Sequence, residues 1–161
     1  VFARFLLWLE STPPAAAIGE AAWIFLSIET LHVLAIALVV GSITMVDLRL
    51  LDLHLKDRPV RALLDEVLPW TWTSFAVAVI SGGLLFSSNA THYWGTGVFR
   101  AKMLLLSLAG INMLVFHATA IPSVHEWGRA PPTPPGAKIC GAVSLVLWIG
   151  VVALGRWIGF V

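Results

Sequence analysis

Glu29 and His32 stand three residues apart in a long apolar run, so a helix places both on one face. Glu-x-x-His is the spacing of di-iron carboxylate bundles, which need the pair twice and two further carboxylates. The pair occurs once here, and no carboxylate falls in the other apolar runs, so a di-iron site is not expected. The arrangement suits a carboxylate that orients an imidazole, as happens behind metal-ligating histidines. His117 lies in another apolar run, five residues after Asn112. Two imidazoles on facing helices can clamp a flat macrocycle, because haem iron takes histidine on its axial positions. His32 and His117 are therefore the candidate axial ligands of a haem b. The rise per residue puts them roughly 10 Å apart in depth. The competing reading is two separate buried histidines, each bonded to a neighbouring helix. Copper or another metal on Glu29, His32 and His117, with Met113 nearby, is an alternative, and so is no cofactor at all.

Arg100, Lys102 and Arg156 fall near one end of the apolar runs. Such cations either snorkel to lipid phosphates or clamp an anion: a haem propionate, a quinone or lipid headgroup, an acidic partner. His54, His92 and His125 lie in connections and are read as solvated, with His92 the spare candidate ligand. Cys140 has no identifiable base, and no phosphate-binding loop or zinc-hydrolase signature is present.

These residues need elements to position them, and composition names the class. The chain has 161 residues, 58% hydrophobic and 12% charged, with mean hydropathy +0.88. Soluble domains carry about 25% charged residues, so a soluble fold is excluded, as is disorder. A net charge of +1 gives no footprint for nucleic acid. A single cysteine excludes an internal disulfide framework and a multi-cysteine metal cluster. Apolar stretches at about 18–46, 67–87, 103–121 and 139–158 approach the ~20 residues that cross a bilayer. They exceed barrel strands in length and do not alternate, so they are read as helices.

Short connections leave successive helices antiparallel. The expected fold is all-α: an integral membrane up-and-down four-helix bundle over residues 18–161, with a short interfacial helix in residues 1–17. Phe2, Phe5, Leu6 and Leu9 give that helix an apolar face, and Thr12-Pro13-Pro14 ends it. The segment lacks the basic start and apolar core of a signal peptide, and a first residue of Val implies a start further upstream. Residues 47–66 are read as a connection, and Pro69 to Trp72 as a helix start. Residues 130–135, APPTPP, read as a stiff polyproline-like linker. Gly82-Gly83 can clear room for a flat ligand, and Trp148 fills the core or lines a pocket.

Arg49, Lys56, Arg58, Arg61, Arg129 and Lys138 lie on one side, with Arg4, Arg100, Lys102 and Arg156 on the other. That bias places both termini outside the cytoplasm.

Several phrases resemble a family of bacterial four-helix membrane proteins known as a domain of unknown function. They are Glu29-Thr30-Leu31-His32, Val46-Asp47-Leu48-Arg49, Leu68-Pro69-Trp70-Thr71-Trp72, Ser88-Asn89-Ala90 and Phe99-Arg100-Ala101-Lys102-Met103. Asn112 with Phe116-His117, and Gly155-Arg156-Trp157, complete the likeness, which covers most of the chain. The resemblance implies a bacterial inner membrane and four helices. The architecture is also similar to four-helix b-type cytochromes, by analogy of fold. The expected function is a membrane-embedded b-type haem protein for electron transfer, linked to quinone. The alternatives are a non-catalytic anchor or accessory subunit of a larger membrane complex or homo-oligomer, and a copper protein. Membrane lipids are expected partners in each case.

Overall fold

The structure, a computed structural model, describes residues 1–129 and 132–160. All regular structure among them is helical. Ala130 and Pro131, the start of the expected polyproline-like linker, lie outside the described residues.

Helix α1 (Phe2–Glu10) ends at Ser11, and Pro13 and Pro14 then start α2 (Pro13–Glu20), where their missing N–H groups cost nothing. The N-terminal segment is thus two short helices. Extended Ala21 separates α2 from α3 (Ala22–Leu50). A tight reversal follows, in which Asp52 and Leu55 take left-handed backbone with φ of 56° and 53°. Helix α4 (Val60–Ser88) comes next, then α5 (Ala90–Gly95) and α6 (Gly97–Thr119). A short α7 (Val124–Trp127) precedes α8 (Pro135–Trp157). Thr96 caps α6 by accepting from the Phe99 N–H at 3.4 Å.

Pro69 does not start α4; it lies well inside it. Val60, Leu63, Leu64 and Val67 recur at helical spacing and are buried against Val46, Leu50, Phe116 and Val124. That burial carries the helix through the proline, which removes one i→i−4 hydrogen bond. Likewise Asp47 and Arg49 are not in a connection. They complete the last turn of α3, and both are buried.

The membrane helices form two antiparallel hairpins, α3 with α4 and α6 with α8, joined where α3 meets α8. Gly141 makes that joint close: a Cβ there would lie 3.2 Å from Leu50 Cβ and 3.3 Å from the Asp47 carbonyl oxygen. Helices α4 and α6 meet mainly through side chains: Phe86 stacks on Phe99 toward one end, and Phe116 joins Leu63, Leu64 and Val67 in one apolar cluster toward the other. Four helical segments are long and apolar enough to cross a membrane, and only 11–17% of each apolar window is buried inside the chain. The remaining apolar surface needs lipid, so this is a multi-pass membrane protein.

One end of the bundle is capped by α1, α2 and α5. Phe2 meets Trp94 at 5.0 Å, Phe86 stacks on Phe99 at 5.0 Å, and Glu10 accepts from the Thr91 N–H at 2.6 Å. The opposite end is tied by Asp52. Its carboxylate accepts from Lys138 Nζ at 2.9 Å, from the Thr133 hydroxyl at 2.7 Å and from the Thr133 N–H at 3.0 Å. Burial alone would raise this carboxyl, but the bonds from Lys138 and Thr133 outweigh it and hold it at about 2. Arg49, fully buried, donates to Asp52 at 3.3 Å and to the Arg58 carbonyl at 2.8 Å. The reversal after α3 and the approach to α8 are therefore one hydrogen-bonded unit.

Candidate functional site

His32 sits between α3 and α4. The Ser81 hydroxyl donates to the Val77 carbonyl at 2.6 Å, so its oxygen accepts from His32 Nδ1–H at 3.0 Å. This assigns the Nδ1–H tautomer and leaves Nε2 bare. Gly82 makes room for the ring, since a Cβ there would lie 2.7 Å from His32 Cε1. Glu29, one turn nearer the capped end, is exposed and makes no hydrogen bond to His32 among the described residues. Its charge acts on Tyr93 of α5: burial first, and then Glu29, push that phenol above its ordinary value.

The three cations of the expected clamp differ in exposure. Lys102 is half-buried against Gly155, its Nζ 3.4 Å from where a Cβ would stand. Arg100 is exposed, and Arg156 is exposed with its guanidinium 5.4 Å from the Phe160 ring centre. Lys102 alone of the three turns toward the bundle.

His117 lies near the opposite end. Its Nδ1–H donates to the Met113 carbonyl of its own helix at 2.9 Å, and its side chain is exposed. Asn112 Nδ2 donates to the Cys140 carbonyl at 2.9 Å, and the next residue, Gly141, rests on Asp47 and Leu50. Asn112 is therefore level with Asp47, fifteen residues along α3 from His32, and His117 is lower still. At 1.5 Å per residue the two histidines are separated by roughly 30 Å along the bundle. The structure does not bring them to one level, and a single macrocycle does not reach both. The sequence estimate of their depths was short because α3 starts later and runs deeper than its apolar stretch. Among the described residues, no three His, Cys, Asp or Glu side chains gather as a metal-holding group.

The bundle does enclose a cavity, of about 170 Å³, at the level of Asp47 and Asn112. All four membrane helices line it. Trp72, Phe75, Phe116 and Trp148 supply aromatic wall, while Asp47, Thr71, Asn112, Ser144 and the rim residue His117 supply polar groups. Some of these are already engaged: Thr71 donates to Ser42 Oγ at 2.8 Å, and Asn112 to Cys140. Asp47 is only 4% exposed, and its Oδ2 has no hydrogen-bond partner. Arg49 Nη2 is the other such buried atom among the described residues.

Asp47 escaped the sequence reading because it closes an apolar run and precedes several charges, which looks like the start of a connection. A usable signal was present: Ile43, Val46 and Leu50 continue the helical apolar spacing past it, so the helix had to include it.

No curated protein sequence and no solved structure matches the chain. A sequence model described as a family of unknown function (DUF6644) matches residues 16–161, and the chain belongs to that family.

Proposed function

We propose that this chain binds a lipid-soluble small molecule inside the bilayer, in the cavity at the level of Asp47 and Asn112. The supporting observation is the cavity's lining, mostly apolar and aromatic with a few polar groups. All four membrane helices contribute to its wall, so it lies within the apolar spans. Apolar walls with a few placed polar groups are the common form of a small-molecule site. The membrane is the bacterial inner membrane and both termini lie outside the cytoplasm, a placement supported by the Lys and Arg bias of the connections. Electron transfer through haem b, or metal binding, would have to use His32 and His117 as separate single ligands. Each does present a bare Nε2. The cavity asks for neither cofactor.

The test is chemical. A Cβ on Gly110, which lines the cavity, would meet nothing within 4 Å, so Gly110→Phe can enter the space without a clash at its base. Wild type and Gly110→Phe are purified identically in nanodiscs, and their organic extracts compared by mass spectrometry. The expected result is a lipid-soluble species near one per chain in wild type and depleted in the variant. Extracts that match would refute the binding reading.

A further inference from the structure

We infer that the cavity takes a single aromatic ring carrying a hydroxyl group, a head of the hydroquinone type, which donates to Asp47 Oδ2. This rests on the binding reading above and names the ligand's class. Size comes first. A volume of about 170 Å³ suits one substituted six-membered ring, since a ~150 Å³ apolar cavity holds benzene. The wall comes second. Trp72, Phe75, Phe116 and Trp148 offer ring faces and edges on several sides, which an aromatic head meets better than an acyl chain does.

The polar partner decides the rest. Asp47 is 4% exposed and its Oδ2 is unpartnered, a state that buried carboxyl oxygens rarely keep. A ring hydroxyl both donates and accepts, so it pairs with the Asp47 carboxyl whether or not that group holds its proton, and the Ser144 hydroxyl on the same wall is a second partner within the lining. A ring hydroxyl is therefore the matching group.

The experiment compares two probes on the wild-type chain in nanodiscs, with empty discs subtracted: radiolabelled decyl-1,4-benzenediol and its dimethyl ether. The ether keeps ring and tail but has no donor. The diol is expected to bind roughly tenfold more tightly, the upper end of the net worth of one hydrogen bond. Asp47→Leu, which has no acceptor, is expected to erase most of that preference. Equal binding of diol and ether, or a preference that survives in Asp47→Leu, overturns the inference. If binding is equal but blocked by Gly110→Phe, the donor match has failed and the cavity reading stands. If neither probe binds above empty discs, the inference is overturned, and the extract comparison above judges the cavity reading separately. The diol-to-ether ratio needs no variant, so an Asp47→Leu that fails to fold does not protect the idea.

Discussion

Adding one methyl group at Gly82 sets the strictest demand on the packing of α3 against α4. The new Cβ would stand 2.7 Å from His32 Cε1, 3.3 Å from Nδ1 and 3.5 Å from Nε2. Real Cβ atoms do not come that close, so the imidazole must swing away. Its bond to Ser81 Oγ, now 3.0 Å, is then lost. Overpacking of this kind costs about 1–3 kcal/mol, and the hydrogen bond about 1 kcal/mol more. Alanine returns about 1 kcal/mol through its better helix propensity. The net expectation for Gly82→Ala is a loss of roughly 2 kcal/mol, near thirtyfold in the folding equilibrium. The assay is reversible unfolding in mixed micelles with rising dodecyl sulfate, followed by far-ultraviolet circular dichroism. The same change in a His32→Ala background has nothing to collide with. There Gly82→Ala should be neutral or stabilising by about 1 kcal/mol. Equal costs in both backgrounds would refute the claim that Gly82 exists to seat the His32 ring.

Acid should loosen the end tied by Asp52. Its folded carboxyl titrates at about 2, below the ordinary 3.8, so its stabilisation is complete above the ordinary value and lost as pH falls toward 2. The size is at most roughly 2 kcal/mol, less after solvent screening, and Asp52→Asn should flatten that acid step in micelle unfolding curves. Asn112→Ala removes the bond from α6 to the Cys140 carbonyl of α8. Interhelical bonds in membranes are worth about 1 kcal/mol, and a loss of that order without change in helix content is expected by the same assay.

The four membrane helices, their up-and-down order and the family were legible in the sequence, because hydrophobic length and short connections act locally. Crossing a bilayer requires about 20 apolar residues in a hydrogen-bonded helix, and no distant contact is needed to read that. The N-terminal apolar face and its stop at Thr12-Pro13-Pro14 were legible for the same reason. Helix ends were less so. Residues 60–66 looked like part of a basic connection, yet Val60, Leu63 and Leu64 are helical because they meet Val46, Leu50 and Phe116 from other helices.

The site was the least legible part. Residue type singled out His32 and His117, but their relative depth depends on where α3 and α6 begin and on how the hairpins dock. The seat of His32 on Gly82 needs α3 and α4 in one register, and Asn112 finds Cys140 only once α6 and α8 are paired. Asp47 reads as a loop residue until α8 packs over it through Gly141 and closes a cavity around it. Sequence alone fixed what must lie in lipid, because transfer into hydrocarbon depends on each segment's own composition. Which polar atoms are left facing a cavity depends on contacts between segments far apart in the chain, and only the tertiary structure decided those.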